Sequence, residues 1–179
     1  MAIPELECLL TSRISAERLR PEHEELIHRV HRDESVMAWL GGLRSLEETH
    51  DYMALNLAHW QSYGFGIWTL RETATERFMG RGGLRNAAID GRPEVELAYG
   101  LLPEFWNRGL ATEFARHLVQ IGSDDLGFSD LVSVTRPENV ASQRVLAKAG
   151  FQPERQTLFK GELHLLYRWR VDASAEPAR

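Results

Sequence analysis

The sequence predicts a mixed α/β fold of the α+β type: a mostly antiparallel central sheet of six to seven strands flanked by about four helices. Three observations predict it. Residues 94–101 alternate, with Val95, Leu97, Tyr99 and Leu101 apolar and Glu94, Glu96, Ala98 and Gly100 between them, which is the period of a strand with one apolar face. After a loop punctuated by Pro103 and Gly109, residues Leu110, Phe114, Leu118 and Ile121 fall at helical spacing, and a β-rich run (DLVSVT, 130–135) follows. Strand, helix and strand in that order demand one parallel crossover. Elsewhere strands are separated by short turns, ETATE, Asp90-Gly91 and Lys160-Gly161, which join antiparallel neighbours.

The elements follow in order. Residues 1–10 read as a loose lead-in and 11–19 (TSRISAERL) as a first strand. Pro21, then Glu22, Glu24 and Glu25, suit the start of a helix, since proline there forfeits no hydrogen bond and the acids oppose the positive end of the helix dipole. Leu26, Ile27 and Val30 stripe that helix to about His31. A short helix over residues 36–40 stops at Gly41-Gly42. Ser45 with Glu48 is a capping-box signature for a helix from Leu46 to about Gln61, with Met53, Leu57 and Trp60 on one face. Residues 65–70 and 77–84 read as an antiparallel pair. Gly122 reads as the stop of the helix that begins near Gly109. Asn139 is a good N-cap for a helix over 140–149, striped by Val145, Leu146 and Ala149 and closed by Gly150. Residues 151–159 and 163–171 read as final strands. One domain over residues 1–172 then carries a polar tail, 173–179.

Composition narrows the function. With 179 residues, 43% of them hydrophobic and 26% charged, the chain can bury a proper core. A net charge of −5 argues against a general binder of nucleic acid or of anionic membrane, because both need a basic footprint. Cys8 stands alone, which excludes an intramolecular disulfide and a cysteine metal cluster and suits a reducing compartment. The N-terminus carries acids instead of a basic leader and no apolar run reaches membrane-spanning length, so a cytoplasmic location is expected. The seven histidines show no metal-ligand spacing, and no metal is expected.

Three stretches resemble the GNAT superfamily of acetyl-CoA-dependent N-acetyltransferases, in particular its RimJ/RimL-like branch, over about residues 9–171. FWNRGLATE (105–113) is similar to the acyl-CoA pyrophosphate loop, with Trp106, Gly109 and Ala111 at its marked positions. NVASQRVLAKAGF (139–151) is similar to the helix after the family's fifth strand, and ERLRPEHEELIHRV with MAWLGG resembles the branch's N-terminal half. The resemblance implies a GNAT-like sheet whose fourth strand (94–101) and fifth strand (130–135) splay apart, so that exposed backbone receives pantetheine as an extra strand would. Acetyl-CoA is then the acetyl donor.

The residues support that reading. A glycine turn opening a helix straight after a strand aims unpaired N–H groups at one point, with the helix dipole behind them. Asn107, Arg108, Gly109, Leu110, Ala111 and Thr112 would ring the diphosphate, and Arg108 can add a charge-assisted contact. By the resemblance Asn139 bridges to pantetheine or to the splayed backbone, besides capping its helix. An N–H near Leu101 or Leu102 would polarise the thioester carbonyl. Glu96 is the first candidate for the base, with Glu94 in reserve. Many members place the tyrosine that protonates the thiolate where this chain has Leu146; Ser142 is the substitute and Tyr167 a third candidate. By the same resemblance the N-terminal helices that carry Trp39, His50, Tyr52, His59 and Trp60 would wall the acceptor pocket. Cys8 is badly placed for a nucleophile, so direct transfer to a primary amine is expected. An acidic chain suits a cationic amine but leaves protein N-terminus, polyamine, aminoglycoside and amino acid open, as it leaves monomer or homodimer open. The other reading is a non-catalytic acyl-CoA-binding sensor of the same fold.

Overall fold

The strands join in one eight-stranded sheet, ordered β1-β2-β3-β4-β5-β6-β8-β7, in a computed structural model that describes residues 6–171. They are β1 (Cys8–Leu10), β2 (Ile14–Arg18), β3 (Ile67–Glu72), β4 (Phe78–Ile89), β5 (Arg92–Leu101), β6 (Asp130–Thr135), β7 (Gln152–Phe159) and β8 (Glu162–Arg170). The helices are α1 (Glu24–His31), α2 (Glu34–Met37), α3 (Leu46–Tyr63), α4 (Leu110–Gln120) and α5 (Val140–Lys148). All neighbouring strands run antiparallel except β5 and β6, joined through α4. The class is the expected mixed α/β one. The extra strand comes from the lead-in, where Cys8 pairs with Glu17 and Leu10 with Ser15; three edge residues are too few for alternation to show. The expected tail, 173–179, lies outside the described residues.

Local signals set the helix ends. Ser45 Oγ accepts from Glu48 N–H at 3.1 Å and the Glu48 carboxylate accepts from Ser45 N–H at 2.7 Å, closing the capping box of α3. Gly150, at φ 92°, ends α5: its N–H bonds to Ala147 C=O at 3.1 Å and Phe151 N–H to Leu146 C=O at 3.0 Å. Gly122 does not stop its helix. The chain runs on through a π turn, Ile121–Asp125, and a Cβ on Gly122 would come within 3.1 Å of Leu131, so this glycine serves packing.

Helices α1 to α3 cover one face of the sheet and α4 and α5 the other. A Cβ on Gly100 would lie 2.9 Å from Leu40 on the first side, and one on Gly82 would lie 2.7 Å from Phe114 on the second. Trp68, Phe105, Phe114 and Phe151 are fully buried between these layers, each worth about 1.5–3 kcal/mol of transfer free energy. Because β5 is central, the polar half of its alternation is covered rather than solvated, and Glu96 is only 4% exposed.

The sheet parts at one place. Between β5 and β6 the pairing is a single bridge, Glu96 opposite Val132. One step on, Ser133 Oγ takes the Leu97 carbonyl at 2.8 Å in place of a strand N–H. Leu102 N–H bonds to Met79 C=O at 2.8 Å. Along an antiparallel strand alternate residues aim their backbone groups at the partner. Even-numbered residues of β5 therefore face β4, and Tyr99 and Leu101 face the gap. Gly80, opposite Leu101, holds this end together: at φ 148° its Cβ would sit 2.2 Å from Gly100 O. Gly80→Ala should cost about 2–3 kcal/mol and lower the melting temperature by roughly 5–10 °C, measured by circular dichroism; an unchanged midpoint would contradict this packing.

Candidate active site

A cleft of about 470 Å³ opens where β5 and β6 part, walled by β4, β5, β6, α2, α3, the first turn of α4, α5 and the β7–β8 turn. At one end the chain makes a left-handed turn, with Asn107 at φ 58° and Gly109 at φ 76°. A Cβ on Gly109 would meet only the Arg13 guanidinium, at 3.6 Å, so glycine is required for its φ and not for space. No side chain caps α4. Its first N–H groups, on Leu110, Ala111 and Thr112, thus lack intrahelical partners, and Glu113 N–H is the first to close, on Gly109 C=O at 3.0 Å. Asn107, Gly109, Leu110, Ala111 and Thr112 all line the cleft. Uncapped donors at the positive end of a helix fit an anion such as a diphosphate. Arg108 turns away, its guanidinium on Glu72 and 5.7 Å from the Phe105 ring.

This turn is braced from across the molecule. Glu113 accepts from Thr11 Oγ1 at 2.6 Å, Ser12 Oγ at 3.0 Å, Arg13 N–H at 3.0 Å and Arg13 Nε at 2.7 Å. Arg13 also donates to Arg108 C=O at 2.9 Å. Burial pushes the Glu113 carboxyl up, but the bonds from Thr11, Arg13 and Ser12 outweigh it and hold the group below its ordinary 4.5. Nothing in the sequence links residues 11–13 to Glu113.

At the gap itself, Trp106 Nε1–H donates to Leu101 C=O at 2.7 Å. Tyr99 N–H and C=O and Leu101 N–H are left facing the opening. Leu102 does not line the cleft, and its N–H is already given to Met79. Asn139 caps α5 by accepting from Ser142 N–H at 3.0 Å, and Ser142 Oγ lies 3.0 Å from the Tyr99 hydroxyl. Burial pushes the Tyr99 phenol up to about 12, against the opposing Ser142 bond. In the sequence Tyr99 falls on the apolar face of its strand, where a tyrosine reads as core; no local pattern shows that its hydroxyl meets Ser142 in the cleft. Leu146 is fully buried, and Tyr167, 3.5 Å from Gln143 Oε1, lies off the cleft.

Glu96 enters the cleft from the opposite face of β5. Arg85 Nε and one terminal nitrogen each lie 2.8 Å from its Oε2, while Oε1 has no partner among the described residues. The Glu96 carboxylate raises Arg85 above its usual range. Glu94 lies off the cleft, 2.8 Å from Arg168. Of the expected acceptor wall, Trp39 and Tyr52 line the cleft and His59 borders the adjoining hollow. Trp60 is buried with its N–H on Ile67 C=O at 2.8 Å, and His50 pairs with Glu24 at the surface. Among the described residues no side-chain group suited to hold a metal ion occurs, and no helix is long and apolar enough to cross a membrane.

The acetyltransferase (GNAT) domain profile matches residues 13–152. The chain belongs to this family. As a GNAT protein it is an acetyltransferase. Uncharacterized N-acetyltransferase YoaA of Bacillus subtilis (strain 168) is 28% identical over 148 residues, 82% of this chain and 83% of that protein. The fold is like that of an acetyltransferase from Agrobacterium tumefaciens str. C58, with a TM-score of 0.81 at 23% identity over 96% of each chain. It is also like that of RimL, a ribosomal L7/L12 alpha-N-protein acetyltransferase in complex with coenzyme A, with a TM-score of 0.74 at 17% identity over 96% of this chain and 99% of that one.

Because the folded Glu113 carboxyl lies below its unfolded value, its stabilisation is present above about pH 4.5 and lost as pH falls through the folded value. Glu113→Gln should cost about 1–2 kcal/mol at pH 7, and the gap from the parent should narrow as pH falls below the ordinary carboxyl range in thermal melts across pH. A gap that persists in acid would assign the loss to something other than this carboxylate.

Proposed function

We propose that this GNAT acetyltransferase moves the acetyl group of acetyl-CoA directly to the primary amine of an acceptor, without a covalent enzyme intermediate. The observation that carries the reading is the meeting, in one cleft, of unpaired backbone at Tyr99 and Leu101 with the uncapped start of α4. The N–H groups of Leu110, Ala111 and Thr112 would hold the diphosphate, Asn107 and Gly109 giving the turn its shape. Pantetheine would pair with the odd-numbered backbone of β5. Leu101 N–H is the free donor for the thioester carbonyl, since Leu102 N–H is engaged. The likeness of fold to a coenzyme A complex of RimL supports this donor and the RimJ/RimL-like branch.

In the chemical step the amine nitrogen bonds to the acetyl carbon and the carbon–sulfur bond breaks. Glu96 Oε1 takes a proton from the amine, directly or through a water, and the Tyr99 hydroxyl, backed by Ser142, gives one to the departing sulfur. Leu146 cannot donate, so the proton comes from β5 rather than from the helix after the gap. A phenol held near 12 stays protonated, as an acid must, throughout the physiological range. No feature of the cleft favours a silent binding module, and relatives named as acetyltransferases support turnover.

Acetyl-CoA at a hundred times its Kd should stabilise the protein by about 2.7 kcal/mol, raising the melting temperature roughly 5–10 °C; no rise would remove the central inference. Glu96→Gln and Tyr99→Phe should each lower kcat about 10²–10⁴-fold at neutral pH with acetyl-CoA affinity nearly intact. Stopped assays with product identified by mass spectrometry read this, and an undiminished kcat in either variant would take that residue out of its role.

A further inference from the structure

On the Glu96 side of β5 four cations gather about one tyrosine. Arg81 and Arg85 project from β4, Arg44 precedes α3, and Lys160 lies on the β7–β8 turn; all four line the cleft with Tyr52. Only Arg85 is matched, by Glu96. The guanidinium carbons of Arg44 and Arg81 lie 5.2 and 5.4 Å from the centre of the Tyr52 ring. Neither side chain has a hydrogen bond or ion pair among the described residues. Arg81 is 4% exposed and its Nε has no partner; Tyr52 is 6% exposed and its hydroxyl has none either.

The nearby acids do not fill the deficit. Glu162 is held by Arg136, and Glu48 accepts the Ser45 N–H at the start of α3. Asp51 is exposed on the outer wall of the adjoining hollow. The surplus is felt by the neighbours: His31, in edge contact with Tyr52, is pushed down to about 3 by burial and then by Arg81 and Arg44. Burial, reinforced by the adjacent arginines, also holds Arg44 and Lys160 below their usual ranges. A buried guanidinium with an unmet donor and no counter-charge destabilises a fold, so its retention points to an anion that arrives with a ligand.

We propose that Arg81, Arg44, Lys160 and the Tyr52 hydroxyl receive an anionic group, carboxylate or phosphate, borne on the same small molecule as the acceptor amine. The acceptor is then an anion-bearing, amino-acid-like amine and not a cationic one. This rests on the acetyl-transfer reading and specifies its substrate. The planar guanidinium of Arg81 suits bidentate recognition of an oxyanion, and Tyr52 can add an O–H donor. Glu96 stands on the same face, so one small molecule can place its amine near the carboxylate and its anion on the arginines. The phosphates of coenzyme A do not explain the cluster, because the uncapped start of α4 serves the other face of β5. The chain's net charge of −5 misleads here, since the acids near the cluster are few and Glu96 and Glu162 are already paired.

The test compares glycine, L-phenylalanine and L-glutamate with their carboxamides and decarboxylated amines, and adds O-phosphoethanolamine to separate phosphate from carboxylate. Binding to the full chain saturated with CoA is read by calorimetry, and acetylation by mass spectrometry. At least one anionic member should bind tenfold or more tighter than its neutral counterpart. Arg81→Gln and Arg44→Gln should erase that ratio while leaving the acetyl-CoA melting shift intact, which also certifies folding. If Arg81→Gln does not fold, Lys160→Gln on the exposed turn should still narrow the ratio severalfold. Equal binding of anionic and neutral members, no binding of any anionic member, or a ratio that survives in folded Arg44→Gln would overturn the proposal. Selective anion binding without acetylated product would keep the subsite and overturn acetyl transfer; indiscriminate acetylation of neutral amines would do the reverse.

Discussion

The single parallel bridge between β5 and β6 is the constraint on which the rest of the molecule depends. Two antiparallel blocks, β1 to β5 and β6 with β8 and β7, meet there in one backbone bridge, Glu96 opposite Val132, beside side-chain bonds from Ser133 and Arg168. A parallel neighbour must be reached by a crossover, and the crossover helix has to start beyond the carboxyl end of β5. That places the donor-rich start of α4 beside the strand end whose partner has moved away. Open backbone and open helix terminus are two results of one topological requirement, and each would be costly if buried without a ligand.

Charge follows the same geometry. Away from the gap, charged side chains are matched: Arg168 is held by Glu94, Glu154 and Asp130, and Arg13 by Glu113. Beside the gap Arg85 is held by Glu96, but Arg81 and Arg44 have no such partner among the described residues. Tyr52, Arg81 and His31 contribute the three buried side-chain atoms without partners among the described residues, and they are neighbours. Polar deficits in a folded protein are few, and here Tyr52 and Arg81 line the cleft while His31 packs behind Tyr52.

Much of the fold was legible in the sequence because its signals are local. The Ser45 and Glu48 capping box, the Asn139 cap and the Gly150 terminus each satisfy backbone groups within one turn, and they occur as read. The misses share a cause. Cys8–Leu10 becomes a strand only because β2 leaves an edge to pair with, and Gly122 is small for Leu131, nine residues on, rather than for its own helix. Part of the candidate site was equally hidden: Tyr99 reads as core until α5 brings Ser142 to it, and the Glu113 brace spans about a hundred residues.

By itself the sequence determined the class of fold, the caps at Ser45, Asn139 and Gly150 and the glycine turn that opens α4, since period, capping and left-handed φ are properties of a few consecutive residues. Only the tertiary structure decided which groups remain unsatisfied. Whether Leu101 N–H is free, whether Arg108 faces the cleft, and whether Arg81 has a counter-charge depend on distant partners in the chain. Electrostatic and hydrogen-bond deficits belong to a place in space and not to a stretch of chain. The glycine turn that opens α4 is such a stretch and could be read in advance, whereas the wall assembled from α3, β4, β5 and the β7–β8 turn could not.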